Sequence, residues 1–196
     1  MKKLQPGFTV VELLIAISLA GILSVAAYGF FSSSISQYVK LSQDSQNLSD
    51  LAAQSQRIAK VLRGLTDITT ALDNEIKVYA YFSPVDQYVS EVRYYKNAGG
   101  TILYADVTPL TANPPIGTLI TANKKTYTII DPFKTISGTN LFTYLDSGGT
   151  TLPTPIADQH TIKGVKINLS VPTIDPVANQ VTTSLQVSLR NRKTNL

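Results

Sequence analysis

The chain has 196 residues, 43% of them hydrophobic, and 17 Lys and Arg against 13 Asp and Glu give a formal charge of +4. So small a balance is no nucleic-acid signature, and the length suits one core better than two domains. Cysteine is absent and there is a single histidine, so the fold has no disulfide staple, and a zinc site would need mostly carboxylates, for which no compact ligand cluster exists.

At the N-terminus Lys2 and Lys3 precede an apolar run, Glu12 stands at its mouth, and no further charge occurs until Lys40. As a helix, Leu13 to Phe31 spans about 28 Å, close to the roughly 30 Å apolar thickness of a bilayer. The two lysines place the N-terminus on the cytoplasmic side and the residues after about 32 outside. Glu12 is the anomaly. A lone carboxylate is strongly disfavoured in apolar surroundings, so it calls for a partner or a purpose.

Three readings of this stretch compete. One is a plain single-pass anchor. Another is a secretory signal peptide cut after Ala27, against which Glu12 at the start of the apolar core counts. In the third, Gly7-Phe8-Thr9-Val10-Val11-Glu12-Leu13-Leu14 resembles the processing site of type IV pilins and type II secretion pseudopilins.

That resemblance implies a specific course of events. A prepilin peptidase cuts after Gly7 and methylates the new amine on Phe8, leaving residues 1–7 as the leader. Glu12, fifth in the mature chain, takes the family's acidic position, whose carboxylate meets the N-terminal amine of a neighbouring subunit. The physical reading agrees, since a buried carboxylate is tolerable beside a cation and such a pair sets axial register. Many major pilins have a helix-loosening proline deeper in the run, where this chain has Gly29.

After the serine-rich residues 32–36 the apolar pattern becomes periodic. Leu41, Leu48, Leu51, Ala52, Ile58, Ala59, Leu62 and Leu65 recur mostly at helical spacing, with Lys40, Asp44, Asp50 and Arg57 elsewhere. The spacing predicts an amphipathic helix continuous with the apolar stem, packed by one face on a globular head; no strict heptad supports a coiled coil. From Phe8 to about Arg63 such a helix is about 84 Å long. Leu65, Ile68, Leu72 and Ile76 extend the stripe past Gly64, predicting that the helix runs on, or restarts with Thr66 or Asp67 as a cap, to about Val78.

Beyond Pro84 the period moves toward two. Tyr88 to Lys96 and Thr101 to Val107 read as a hairpin turned at Asn97-Ala98-Gly99-Gly100. Lys125 to Ile130 and Leu141 to Leu145 read as further strands, with a turn at Asp146-Ser147-Gly148-Gly149. The run from Phe142 to Leu152 also resembles the aromatic strand and glycine turn of minor pilins and larger minor pseudopilins. Ile162 to Val171 and Val181 to Leu189 alternate plainly and predict a long C-terminal hairpin joined through Pro172 to Asn179. The ending Val187-Ser188-Leu189-Arg190-Asn191-Arg192 is similar to that of many minor pilins; Arg190 and Arg192 read most simply as solvated end-of-strand charges. The tyrosines read as core and cross-strand packing before they read as a sugar-binding face.

The fold class is therefore α+β: a long N-terminal transmembrane and amphipathic helix packed on a C-terminal antiparallel β-sheet head, similar to pilins, with the sheet divided into two subsheets at the Pro109 and Pro153 regions. The expected segments are residues 1–7 as leader, 8–31 as transmembrane and filament-core helix, 32–64 as amphipathic extension and 65–196 as β-rich head.

Residues for catalysis are sparse. Asp158 lies near His160, but both sit in a polar segment with no nucleophile elbow. Asp44 and Asp50, six apart, do not share a helix face, and the glycine pairs lack the lysine and helix of a phosphate loop. No catalytic residue, metal ligand or cofactor site is expected, and the chain reads as a non-enzyme.

The leading function is a structural minor pilin or pseudopilin that is processed and then incorporated into, primes or caps a type IV pilus-like filament. The alternative is a membrane-tethered binding or adhesion protein whose head recognises a surface, polysaccharide or DNA. Expected partners are the prepilin peptidase, other pilins or pseudopilins, an inner-membrane assembly platform and membrane lipid, with a surface, DNA or a secreted protein as candidate ligand of the head. The expected location is the cytoplasmic membrane, single-pass with the N-terminus inside, then a cell-surface or envelope filament.

Overall fold

A computed structural model describes residues 7, 9–174 and 180–189. Lys2, Lys3, Phe8, Arg190, Arg192 and most of the loop from Pro172 to Asn179 lie outside the described residues. The chain divides into two compact units, residues 1–43 and 44–196. The architecture is α+β, with one long N-terminal helix and antiparallel sheets after it.

Helix α1 runs Val10–Arg63, 54 residues without a proline. In the first unit every residue from Val10 to Gln43 is exposed, and an 18-residue window there has a mean hydropathy of 2.4. Ser18 and Ser24 donate their hydroxyls to the carbonyls of Leu14 and Ala20, so neither needs water as a partner. The helix is unbroken at Gly29.

Within the second unit α1 buries a stripe of Leu51, Ser55, Ile58, Ala59, Val61 and Leu62, the period of a helix lying on a core. The stripe is shorter than the sequence pattern: Leu41, Leu48 and Ala52 are exposed. The helix stops at Gly64, whose N–H reaches both the Lys60 and the Val61 carbonyls, a tightened last turn.

It does not run on to Val78. Residues 65–80 instead form strands β1 (Asp67–Leu72) and β2 (Glu75–Ala80), joined at Asp73-Asn74. Thr66 is no helix cap, since its N–H and hydroxyl both donate to the Tyr79 carbonyl. The physical reason lies in the residue types: Ile68, Thr69, Thr70, Ile76 and Val78 are β-branched, and an Asp-Asn pair suits a turn. Ile76, Val78 and Ala80 are fully buried while Glu75, Lys77 and Tyr79 are half-buried, a period of two that overrides the coincidental helical spacing.

The first sheet continues as a meander through β3 (Ser90–Lys96), β4 (Leu103–Pro109) and β5 (Lys125–Ile130), in the order β1-β2-β3-β4-β5. At the β3–β4 turn Asn97 Oδ1 accepts the N–H groups of Thr101 and Ile102. Gly100 there has φ +65°, and a Cβ on it would stand 2.6 Å from Thr135 Oγ1; both facts demand glycine. The 110–124 connection is drawn closed by a Leu110–Leu119 bridge, with Gly117 so tight on the Ala112 carbonyl that a Cβ would come within 1.7 Å of its oxygen.

A second sheet holds β6 (Phe142–Leu145), β7 (Thr151–Leu152), β8 (Gly164–Pro172) and β9 (Gln180–Ser188), in the order β7-β6-β8-β9. The two-sheet division is present, but its boundary is not at Pro109 or Pro153. Pro109 ends β4, pairs with Ser90 and is followed by a return to the same sheet; the break falls between Ile130 and Phe142. The C-terminal hairpin has continuous register from Gly164–Ser188 to Pro172–Gln180.

One core joins the helix stripe to both sheets, with Ile76, Val78, Val92, Tyr94, Leu103 and Ala105 from the first and Phe142, Tyr144, Val165, Ile167 and Leu169 from the second. The opposite face of the first sheet carries an ionic network. Arg93 donates Nε and Nη2 to the two carboxylate oxygens of Glu75 at 2.8 and 2.7 Å and stacks over Tyr95. Asp106, its side chain 5% exposed, receives Lys124 Nζ at 2.8 Å and the hydroxyls of Thr126 and Tyr95.

Burial pushes the Asp106 carboxyl up, but Lys124 and Thr126 outweigh it and hold the group below the ordinary carboxylate value. A depressed folded value means that the stabilisation is present at neutral pH and is lost as pH falls through it. The stability difference between the wild type and Asp106→Asn is therefore expected to shrink on acidification below about pH 4, as read from denaturant midpoints across pH.

Candidate processing and assembly site

The site begins where the chain enters α1. Thr9 is the residue before the helix, and its carbonyl accepts the first helical bond from the Leu13 N–H at 3.1 Å. The Thr9 N–H and hydroxyl both donate to Glu12 Oε2 at 2.9 Å, and the Glu12 N–H donates back to Thr9 Oγ1 at 3.2 Å. This is a reciprocal capping box, Thr9-Val10-Val11-Glu12, which satisfies two of the donors that a helix start leaves free.

Glu12 thus has a partner within its own chain, a role that reading it as a lone acid overlooks. The T-x-x-E spacing is the signal that could have found it. Only Oε2 is engaged among the described residues, so Oε1 is open to a cation. The carboxylate also sits in the first helical turn, where the helix dipole favours negative charge. Gly7 is exposed, with nothing within 4 Å of where its Cβ would be. Phe8, between Gly7 and Thr9, lies outside the described residues.

The other sequence candidates are not brought into any reactive arrangement. Asp158 Oδ1 accepts the backbone N–H of His160 at 2.9 Å, a turn-capping contact, and His160 is exposed. Asp44 accepts the Ile174 N–H at 3.0 Å. Among the described residues no group of three or more His, Cys, Asp or Glu is placed to hold a metal. Tyr94 and Tyr144 are buried core residues, in keeping with the packing role expected of the aromatics.

Residues 2–28 match the family model of the prokaryotic N-terminal methylation motif. A match to this motif supports membership of the type IV pilin and pseudopilin family. The match covers Gly7, Thr9, Glu12 and the apolar first half of the exposed helix segment, the same elements that form the site. In a pilin-like protein this motif directs processing by prepilin peptidase and assembly with other pilins, and the exposed apolar helix fits a membrane-anchored pilin that becomes part of a surface filament. No curated protein matches the chain.

Proposed function

We propose that this chain is a minor structural subunit, a pilin or pseudopilin that primes or caps a type IV pilus-like filament. The observation that carries the reading is the methylation motif at residues 2–28, seated at the start of a helix whose residues 10–43 are wholly exposed. An apolar surface of that extent needs lipid before assembly and other helices after it.

The proposed course starts with Lys2 and Lys3 holding the N-terminus in the cytoplasm. The peptidase removes residues 1–7 and methylates the amine of Phe8. Residues 8–31 store the subunit in the membrane and then enter the filament core, residues 32–64 extend the helix, and residues 65–196 form the head. Glu12 remains capped by Thr9 in storage and offers Oε1 to the amine of a neighbouring subunit during assembly. Energy comes from the assembly machinery, the chain's part being structural and non-enzymatic.

The divergent β-rich head without a disulfide supports the minor role. Quantitative mass spectrometry of sheared filaments is expected to find this chain well below another pilin in abundance. Finding it as the bulk component would make it the major subunit instead.

A further inference from the structure

The two sheets have four edges, β1, β5, β7 and β9, and three of them are protected. β1 begins at Asp67 and breaks register between Ile68 and Thr70; β5 begins with Lys125, next to Lys124; β7 has two residues. Charges, bulges and short length are the devices by which proteins keep edges from pairing. β9 has none of them. It is nine residues long, Gln180-Val181-Thr182-Thr183-Ser184-Leu185-Gln186-Val187-Ser188, with no charge, proline or glycine. Its register to β8 is unbroken over all nine pairs, and β8 is its only paired neighbour among the described residues. Alternate N–H and C=O groups along its other side therefore point away from the sheet.

We propose that β9 pairs antiparallel with β9 of a second copy of this chain, joining two heads through one continuous sheet. The edge is self-complementary. With Ser184 on the two-fold axis, Gln180 meets Ser188, Val181 meets Val187, Thr182 meets Gln186 and Thr183 meets Leu185 of the other copy. This register keeps the faces matched. Val181 and Leu185, partly buried against the core, and buried Val187 fall on one side with Thr183, while Thr182, Ser184, Gln186 and Ser188, all exposed, fall on the other. Valine opposes valine, hydroxyls and amides oppose one another, and no charge is trapped in the ladder. A two-fold contact of this kind closes at two copies and does not propagate into a fibre. An edge of nine residues buries less than a standard interface, so pairing needs a high local concentration of heads. The inference stands on the head alone and does not depend on the pilin reading.

The absence of cysteine permits a clean test on the full chain in detergent. Ser184→Cys places the two thiols opposite each other, at the Cα separation of about 5 Å that a disulfide spans, and mild oxidation is expected to give a covalent dimer. Thr182→Cys alone is expected to stay monomeric, its twin lying about 14 Å away along the strand, whereas a mixture of Thr182→Cys and Gln186→Cys chains is expected to cross-link. Ser184 is exposed and gives up one hydrogen bond to Asn168, so these variants leave the core intact. Independently, Ser184→Lys and Ser184→Glu should each abolish pairing by facing like charges, and mixing the two should restore it. Equal cross-linking of Thr182→Cys and Ser184→Cys, or none by Ser184→Cys, would overturn the proposal, as would dimers that persist in Ser184→Lys.

Discussion

Replacing Glu12 with alanine is expected to leave membrane insertion unchanged and to reduce incorporation into filaments by roughly tenfold or more. Insertion is driven by the apolar residues after Glu12, and removing a carboxylate from their margin does not weaken it. Incorporation is different because the carboxylate is proposed to receive the amine of another subunit, and a cation brought into an apolar filament core without it is left unpaired.

The capping geometry separates two parts of this effect. In Glu12→Gln the amide oxygen can still accept the Thr9 N–H, since glutamine also serves in a capping box, but the charge is gone. If the charge matters, Glu12→Gln incorporates as poorly as Glu12→Ala, while Thr9→Ala, which loses the hydroxyl's two contacts and keeps the charge, incorporates better than either. Filament yield against membrane-fraction content, measured for the three variants, gives the answer. Unchanged incorporation of Glu12→Ala would remove the pairing role.

The second large effect is expected at Tyr144. Its side chain is fully buried, and its single hydroxyl proton is shared between the carbonyls of Leu72 and Glu75, 2.9 and 3.2 Å away. One residue of β6 thereby holds both sides of the β1–β2 turn, where the Phe142 N–H also meets the Asp73 carbonyl and the Thr154 hydroxyl meets the Asp73 carboxylate. Burial pushes the phenol well above its ordinary value, so it remains a donor throughout the physiological range.

Tyr144→Ala removes the ring and both bonds, and is expected to cost about 3–5 kcal/mol, lowering the Tm by about 10 °C. Tyr144→Phe keeps the packing and loses only the hydroxyl's contact with the two carbonyls, which stay in the β1–β2 ladder, for about 1 kcal/mol. Denaturant melts of the detergent-solubilised chain measure both. A cost for Tyr144→Ala no larger than that for Tyr144→Phe would show that the ring contributes little to joining the sheets.

Much of this arrangement is legible in the residues, for identifiable reasons. The long helix follows from an apolar run without proline, and the C-terminal hairpin from strict alternation in β8 and β9, both local patterns. The stretch from Leu65 to Ile76 misleads because its spacing fits a helix face by itself. What decides against helix is distant in sequence, the pairing of Ile76 with Tyr94 and Val78 with Val92. The sheet boundary is hidden for a similar reason: proline marks a change of direction, but whether the chain returns to the same sheet depends on partners such as Ser90 for Pro109.

The candidate site divides in the same way. Gly7, Glu12 and the apolar run are visible as a motif, and the Thr9 cap is visible once the spacing to Glu12 is read as helix chemistry. The Arg93–Glu75 and Lys124–Asp106 pairs are not visible, because their members are brought together only when β2, β3, β4 and the 110–124 connection are in register.

The central claim, that this is a processed pilin-like subunit, is tested most directly by the mass and first residue of the mature chain. Intact-mass measurement and N-terminal sequencing of the protein from cells with prepilin peptidase are expected to show a methylated Phe8 start, and from cells without it the full chain from Met1. A mature protein that retains Met1 to Gly7 in the presence of the peptidase would contradict the account.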